Sequence, residues 1–354
     1  MKRLLTVGAV VLLCAARGIA QQVELLRPCR LGRWGVPPGN YSGITSLGNG
    51  RYAVVDDKSS CEGFWVFRIV QDSQTGQITA VSNEGFRAGD GEPSAVDAEG
   101  VAWRAADSTV WISRESDQRI LAYAPDGRTA GRELAVPAEM QKGAIVPNYG
   151  FEALGYDAVR DVFWTVTENV LKADGPVLGP GSDGNACLRL QCFDGASGKP
   201  LAQYAYMPDR PQTSVRGRQY TFGVVALCVR PDGSLWIMER EADVARRILK
   251  SRTYIHIYKV CPTGEDILSA DDRTMERMRM KALKKHLVIA FSTRMRLWRP
   301  RFANYEGLCE GAALSDGRRT FLLIADSQNG YGRRWCHLQD WLRVLVLSDE
   351  NGDL

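Results

Sequence analysis

The stretch "EGVAWRAADSTVWISRE" (residues 99–115) decides the fold. Two short apolar runs flank a polar turn, and an acidic residue stands at each end, Glu99 before the first run and Glu115 after the second. This pattern predicts a β-hairpin. In an antiparallel hairpin, the residue before the first strand and the residue after the second meet at the open end. We therefore expect Glu99 and Glu115 to be neighbours.

The same hairpin recurs along the chain. In "EALGYDAVRDVFWTVTE" the end acids Glu152 and Glu168 are again 16 residues apart, as Glu99 and Glu115 are. The other copies cover residues 42–57, 223–240 and 305–327. Internal repeats of this kind indicate an architecture of stacked or radially arranged units.

Most of these hairpins are followed by two further strand-like runs, for example "GFWVFRIV" and "GQITAVSN" after the first. Four strands per repeat in a closed ring predict an all-β fold, a single β-propeller with five visible four-stranded blades. A sixth blade is not excluded, within 241–304. Only "LRVLVLS" (342–348) follows the fifth hairpin, and we expect the N-terminal strand "VELL" (23–26) to close the last blade, because this removes an open sheet edge.

Residues 1–20 have the pattern of a secretory signal peptide. Lys2 and Arg3 precede an apolar run that is too short to span a bilayer, and small residues lead up to Ala20. We expect cleavage after Ala20 and a periplasmic or secreted propeller domain over 21–354, without an integral membrane span and as a monomer. A lipoprotein signal that uses Cys14 is less favoured, because Leu13 stands where a small residue is required.

The charge of the chain is nearly balanced once the signal peptide is removed. Residues 1–20 contain Lys2, Arg3 and Arg17 and no acid, so their loss lowers the formal charge from +4 to +1. This balance disfavours nucleic acid as a partner.

Eight of the nine cysteines follow the signal segment. An even number in an exported chain favours disulfides, and Cys187 and Cys192 are close enough in sequence to clip a turn. Buried free thiols are the alternative. A zinc site is disfavoured by the absence of CxxC pairs and by the small number of histidines, which are three.

The repeat predicts a ring of carboxylates around one mouth of the propeller channel. The first two strands of each blade lie nearest the channel, so the open ends of all the hairpins point to one face. Such a ring requires a cation or arginines, and Ca²⁺ accepts six to eight oxygen ligands. The predicted calcium ligands are Asp56, Asp57, Glu99, Glu115, Glu152, Glu168, Glu239, Glu306 and Asp326. Glu99, Glu152 and Glu306 are favoured among them, and the alternative for any single acid is a turn cap or an ion pair.

Basic residues adjoin the same strand ends and could receive an anionic substrate, since arginine matches phosphate and carboxylate oxygens. They are Lys58, Arg114, Arg240, Arg333 and Arg334. Ordinary surface charge is an equally good interpretation of each. The basic segment 273–286 is predicted to be a loop or a short helix that covers an edge.

Five segments resemble the phytase-like family, also called the esterase-like activity of phytase family, over about residues 40–350. They are "SGITSLGNGRYAVVDDKS", "DAEGVAWRAADSTVWISRES", "NYGFEALGYD", "LWIMERE" and "NYEGLCEGAALSDGRRTFLLIADSQN". The resemblance implies a propeller-type fold and the hydrolysis of esters, phosphate esters included. By position it assigns family acids to Asp56, Asp57, Glu99, Glu115, Glu152, Glu239, Glu306 and Asp326. Ala303 and Ser327 depart from it, because the family more often has polar or acidic residues there.

The leading hypothesis is an exported, Ca²⁺-assisted hydrolase of a small phosphoric or similar anionic ester. The metal would polarise a phosphoryl oxygen and acidify water, and a carboxylate off the metal would serve as base. A non-catalytic propeller that binds a ligand or glycan, and a lactonase-like Ca²⁺-dependent esterase, are the alternatives. No nucleophile elbow, P-loop or HExxH motif points elsewhere, and the sequence assigns no catalytic residue.

Overall fold

The five predicted hairpins form the inner halves of five four-stranded antiparallel sheets. The computed structural model describes residues 22–89, 97–184, 186–264, 266–267, 274–296, 301–333 and 336–348. The innermost strand of each sheet contacts the innermost strands of the sheets on either side, which closes the ring. The protein is therefore a five-bladed β-propeller, as predicted. The predicted signal segment lies outside the described residues.

The strands follow one another blade by blade, after two short N-terminal strands. The N-terminal strands are β1 (Gln22–Leu25) and β2 (Cys29–Arg30). Blade 1 contains β3 (Tyr41–Gly48), β4 (Arg51–Asp56), β5 (Gly63–Gln71) and β6 (Ile78–Ala88). Blade 2 contains β7 (Ala98–Arg104), β8 (Thr109–Arg114), β9 (Arg119–Tyr123) and β10 (Thr129–Glu133). Blade 3 contains β11 (Phe151–Asp157), β12 (Val162–Thr167), β13 (Leu188–Asp194) and β14 (Pro200–Tyr206).

Blade 4 is built from four consecutive strands, as the first three blades are, whereas blade 5 is not. Blade 4 contains β15 (Gln219–Val229), β16 (Leu235–Val244), β17 (Arg252–Val260) and β18 (Lys285–Arg294). Blade 5 contains β19 (Asn304–Glu310), β20 (Arg319–Asp326) and β23 (Trp341–Ser348). A short hairpin of β21 (Gly332–Arg333) and β22 (Cys336–His337) is inserted between β20 and β23. The described part of 241–304 thus supplies the outer strands of blade 4 and not a sixth blade.

The N-terminal strand closes the ring, as the sequence predicts. β1 pairs antiparallel with β23, with Val23 opposite Leu347 and Leu25 opposite Leu345. Blade 5 is therefore built from both ends of the described chain. Its strand β23 is paired on both sides, with β20 and with β1.

Helical structure is sparse among the described residues. Short 3₁₀ turns occur at Leu31–Trp34, Ala138–Met140, Lys172–Asp174 and Ile248–Lys250, and α1 covers Met275–Met280. Thr274 caps α1 by accepting a hydrogen bond from the Arg277 N–H. Met278 of this helix is buried against Cys187 and Ala205, so the basic segment does cover an edge. None of the helices in the described residues is long and apolar enough to cross a membrane.

The tryptophans of the repeat fill the space between neighbouring blades. Trp111 packs on Phe163 of the next blade with ring centroids 4.7 Å apart, and Trp236 stacks on Phe321 at 4.2 Å. Both indoles are at most 1% exposed. Aromatic burial of this size supplies much of the packing energy of a domain, which explains why the hairpin pattern carries a tryptophan in its second strand.

The described cysteine side chains are all free thiols, from Cys29 to Cys309. The predicted clip between Cys187 and Cys192 is not formed. Cys192 lies in β13 and Cys187 directly precedes that strand. Five residues of extended chain span about 16 Å, whereas a disulfide needs Cα atoms within about 7 Å. The buried-thiol alternative fits Cys187, Cys192, Cys228 and Cys309.

Candidate functional site

Each innermost strand contains a β-bulge at the same depth in its blade, where one residue is unpaired against the second strand. The bulged residues are Ser42, Glu152, Val225 and Glu306, and in blade 2 Glu99 with Gly100 is opposite the single residue Ser113. A bulge turns the extra side chain out of the regular ladder. Apart from Glu99, these residues line the narrow central channel. The three glutamates that the sequence favoured as ligands are therefore structurally equivalent, and Ser42 and Val225 take their place in blades 1 and 4.

The ends of the second strands supply an outer layer of charged residues. The residue before each bulge pairs with the second strand, as Ala98 does with Arg114 and Val224 with Glu239. The residue that directly follows this paired residue at the end of the second strand points to the mouth of the channel. These residues are Asp57, Glu115, Glu168, Arg240 and Asp326. We call the seven carboxylates of the two layers, with Arg240, the acid ring.

Glu239 and Asp56 are not members of the acid ring. Each stands one residue before the ring position, and a shift of one residue turns a strand side chain to the other face. Glu239 instead accepts hydrogen bonds from the Tyr206 hydroxyl at 2.5 Å and from Lys285 Nζ at 2.7 Å. Asp56 caps a turn by accepting from the Lys58 N–H at 3.1 Å.

Close packing between blades brings the ring carboxylates together. A Cβ on Gly43 would lie 2.3 Å from the Glu99 carbonyl oxygen, and one on Gly223 would lie 2.1 Å from that of Glu168. Only glycine allows the neighbouring backbones to approach this closely. The hairpin pattern therefore needs these glycines as well as its acids.

Burial and mutual repulsion disfavour ionisation of the inner layer. Burial and the neighbouring Glu152 carboxylate raise the pKa of Glu99 well above its usual value. Burial, then Glu168 and Glu306, raise the pKa of Glu152, and burial with Asp326 raises that of Glu306. In the outer layer, burial raises the pKa of Asp326 to about 7 although Gln328 donates hydrogen bonds to it. Without a cation, the ring would hold protons near neutral pH.

The acids of the ring differ in how far the protein satisfies them. Arg240 donates to Glu168 at 2.7 Å and to Glu306 at 2.8 Å, and Glu115 accepts from the Gly150 N–H at 2.8 Å. Glu99 and Glu152 accept no side-chain hydrogen bond from any described residue, although Glu99 is only 6% exposed. Asp57 Oδ1 is also buried without a partner in the described part of the chain.

The unsatisfied groups of the ring are hard carboxylate oxygens, the ligands that Ca²⁺ prefers, and calcium tolerates irregular geometry. Among the described residues, the group of possible ligands whose atoms all lie within 4.8 Å of one another is Asp209, Glu239 and His256, outside the ring. The carboxylates of Glu99, Glu152 and Glu306 are farther apart than this, so they would hold an ion only with water molecules completing the contacts.

The predicted basic residues are dispersed. Of those whose side chains are described, Lys58 alone is exposed at the mouth, where it pairs with Asp57 at 2.8 Å and Asp97 at 3.1 Å. Arg240 is buried within the ring. Arg114 points away from it, to Glu62 and Asp117, each at 2.8 Å. Arg334 and the side chain of Arg333 lie outside the described residues.

Two charged residues near the ring were not predicted from the sequence. The Asp340 carboxylate accepts hydrogen bonds from the backbone N–H groups of Gly39 and Ser327, and burial raises its pKa to about 7. Burial and then Glu168 raise the pKa of Tyr149, and the positive charge of Arg216 opposes them. Both residues stand in connections between strands, outside the hairpin repeat, so its pattern gave no signal for them.

A family model described as "Phytase-like: Esterase-like activity of phytase" matches residues 36–328. No curated protein matches the chain.

Solved structures resemble the chain at low identity. An endo-arabinase from Bacteroides thetaiotaomicron is 9% identical with a TM-score of 0.45, and the match covers 90% of this chain and 97% of that one. An α-L-arabinofuranosidase from Podospora anserina is 10% identical with a TM-score of 0.43, covering 93% and 98%. A protein of unknown function from Bacteroides caccae is 9% identical with a TM-score of 0.32, covering 77% of this chain, which spans 64% of that protein.

Proposed function

The chain belongs to the phytase-like family, and from this premise we propose that it is a Ca²⁺-assisted hydrolase of phosphoric or similar esters that acts outside the cytoplasm. The acid ring is its proposed site. One observation carries the proposal: three equivalent bulges each contain a glutamate at the same depth of its blade, and two of these glutamates have no hydrogen-bond partner among the described residues.

Bound calcium would polarise an ester or phosphoryl oxygen and lower the pKa of an attacking water. Glu99, Glu152 and Glu306 hold the ion in this proposal. Glu115 stands farther out, and its Oε1 accepts from the Gly150 N–H at 2.8 Å. Burial raises the pKa of Glu115, which suits a general base that must accept a proton near neutral pH. Lys58, 58% exposed in its side chain, would attract an anionic substrate to the rim.

A neutral ester, as in a lactonase-like enzyme, is the second candidate. It is favoured because the basic residues at the mouth already form ion pairs with acids of the ring. Arg240 is paired with Glu168 and Glu306, and Lys58 is paired with Asp57. A phosphate group would have to compete with these carboxylates for its cations.

The test is hydrolysis of four chromogenic or titratable substrates: a phosphomonoester, a phosphodiester, a carboxylic ester and a lactone. Each is assayed with calcium and after its removal. We expect calcium-dependent hydrolysis of a phosphoester, and a loss of at least about 100-fold in kcat/KM for Glu152→Gln. Glu241→Gln is the matched control, since it changes a buried glutamate outside the ring and outside the group of Asp209, Glu239 and His256.

The outcomes separate the alternatives. Turnover of the lactone alone would replace the phosphoester hypothesis by the second candidate. No turnover of any substrate, with calcium still bound, would favour the non-catalytic binding propeller. Equal losses in Glu152→Gln and Glu241→Gln would contradict the assignment of the site.

A further inference from the structure

A basic cavity of about 460 Å³ lies between the outer strands of blade 4 and the sheet of blade 5. Five arginines line it, and none of its lining residues is acidic. The arginines are Arg252, Arg294, Arg296, Arg301 and Arg343. None of the five forms an ion pair with a described acid. Guanidinium groups gathered without carboxylates repel one another, so a bound anion would stabilise this arrangement.

The strand register places two of these arginines face to face. Arg252 of β17 is directly opposite Arg294 of β18. Like charges at directly opposed positions of an antiparallel pair are destabilising. Some surface arginines elsewhere in the chain are paired with acids, as Arg51 and Arg68 are with Glu84. The pair in blade 4 has no such acid.

Buried polar groups at the base of the cavity are also incompletely satisfied. Trp341, 7% exposed, lines the cavity, and its Nε1–H has no acceptor in the described residues. The Arg343 Nε–H donates a hydrogen bond to the Leu26 carbonyl oxygen at 2.9 Å, which fixes the guanidinium beside the cavity. Burial and the neighbouring Arg301 lower the pKa of Arg343. An anion would supply acceptors to these donors.

We propose that this cavity is a binding site for a small polyanion with two or more phosphate or carboxylate groups. A guanidinium donates in a fixed fork that matches such groups in pairs, and five forks around one cavity exceed what a single phosphate can accept. The volume is that of a small-molecule site. The site is separate from the acid ring and does not depend on hydrolysis there. Asn304 marks the boundary: it faces Arg240 at 2.7 Å, while its neighbours Ala303 and Tyr305 line the cavity.

The test is calorimetric titration with inorganic tripolyphosphate, at low salt, of the full chain freed of calcium on a chelating resin. Without calcium, a metal in the acid ring cannot bridge to the probe. We expect one site per chain, and binding of orthophosphate at least about 10-fold weaker, since it engages fewer arginines.

Arg252→Gln/Arg294→Gln is the informative variant, because removing two opposed like charges does not threaten the fold. It should bind tripolyphosphate at least about 10-fold more weakly with an unchanged or higher melting temperature in the absence of probe. Arg128→Gln removes an exposed charge of blade 2, and Glu152→Gln changes the acid ring; both should bind like the wild type.

Several results would overturn the proposal. They are no binding by the wild type, equal weakening by Arg128→Gln, or undiminished binding by the double variant. Binding of heparin without binding of tripolyphosphate would also overturn it, in favour of a diffuse surface for long polyanions. If the calcium-dependent hydrolysis is absent and tripolyphosphate still binds, the cavity stands and only the proposed activity fails.

Discussion

Arg240 occupies in blade 4 the position that Glu168 occupies in blade 3, and the two side chains form a buried ion pair at 2.7 Å. The guanidinium also contacts Glu306 at 2.8 Å. Arg240 therefore neutralises Glu168 of blade 3 and Glu306 of blade 5. Glu99 and Glu152 are left without a cationic partner among the described residues, and they are the side chains on which the calcium hypothesis depends.

Calcium should raise the melting temperature of the wild type. Binding to the folded state alone stabilises by about 3 kcal/mol when calcium exceeds its Kd 100-fold. Glu152→Gln preserves the size of the side chain and removes its charge, so the calcium-induced shift should fall or vanish. Thermal denaturation with calcium and with chelator measures both.

The control for this experiment is Glu241→Gln, which is expected to keep the full calcium shift because Glu241 accepts its hydrogen bonds from the Gln212 and Thr213 N–H groups and from the Tyr220 hydroxyl, away from the channel. Without calcium at pH 8, Glu152→Gln should be at least as stable as the wild type, since it relieves repulsion. No calcium shift in the wild type would end the metal hypothesis.

The calcium-free protein should lose stability as the pH rises. The raised pKa values mean that the folded ring holds protons which the unfolded chain releases near pH 4.5. This stability is fully present below that pH and is lost as the pH rises through the folded pKa values, about 7 for Asp326 and Asp340. We expect the melting temperature to fall between about pH 5 and pH 8.

Saturating calcium should flatten or reverse this pH trend, because the metal replaces the protons. The depressed pKa of Asp232, about 2, affects stability only in more acidic solution and does not interfere with this range. A calcium-free melting temperature that rises steadily from pH 5 to pH 8 would contradict the predicted charge state of the ring.

Arg240→Gln should destabilise the protein strongly. Removal of one partner from a buried ion pair leaves an uncompensated charge and costs about 3–5 kcal/mol. Since the variant also removes the cation that competes with calcium, its calcium-induced stabilisation should exceed that of the wild type. Chemical denaturation with and without calcium measures both quantities. Destabilisation that calcium does not relieve would show that Arg240 is only a packing element.

Thiol reactivity should follow burial. Cys261 is exposed, whereas burial raises the pKa values of Cys187, Cys192 and Cys228 to about 12. Because the thiolate is the reactive form, a thiol reagent should label Cys261 in the native protein and the other three only after unfolding. Peptide mapping by mass spectrometry identifies the labelled sites. A Cys187–Cys192 disulfide in exported protein would contradict the extended strand there.

Most of the architecture could be predicted from the sequence, because the signal for a hairpin is local. Alternating runs, turn residues and a tryptophan in the second strand recur within segments of about 20 residues, and the closing strand followed from counting unpaired runs. The equivalence of Glu99, Glu152 and Glu306 was also visible, since each opens its hairpin.

The ring position in blade 4 was assigned wrongly although the sequence contains the signal for it. Trp111 and Trp164 stand four residues before Glu115 and Glu168, and the residue four after Trp236 is Arg240 and not Glu239. A difference of one residue reverses the face of a strand. The basic cavity, in contrast, has no signal in the sequence. Its arginines come from four separate segments, and only the packing of blade 4 against blade 5 brings Arg252 and Arg343 to the same space.

The five bulges repeat a backbone, but they do not repeat a side chain. Glutamates stand in blades 2, 3 and 5, whereas Ser42 and Val225 stand in blades 1 and 4. The mouth consequently has no rotational symmetry, and its hydroxyl, its aliphatic group and its carboxylates follow a fixed order around the axis. A chiral molecule that enters the channel meets a different neighbour on each side, so the two mirror-image forms of one ester would not be handled equally.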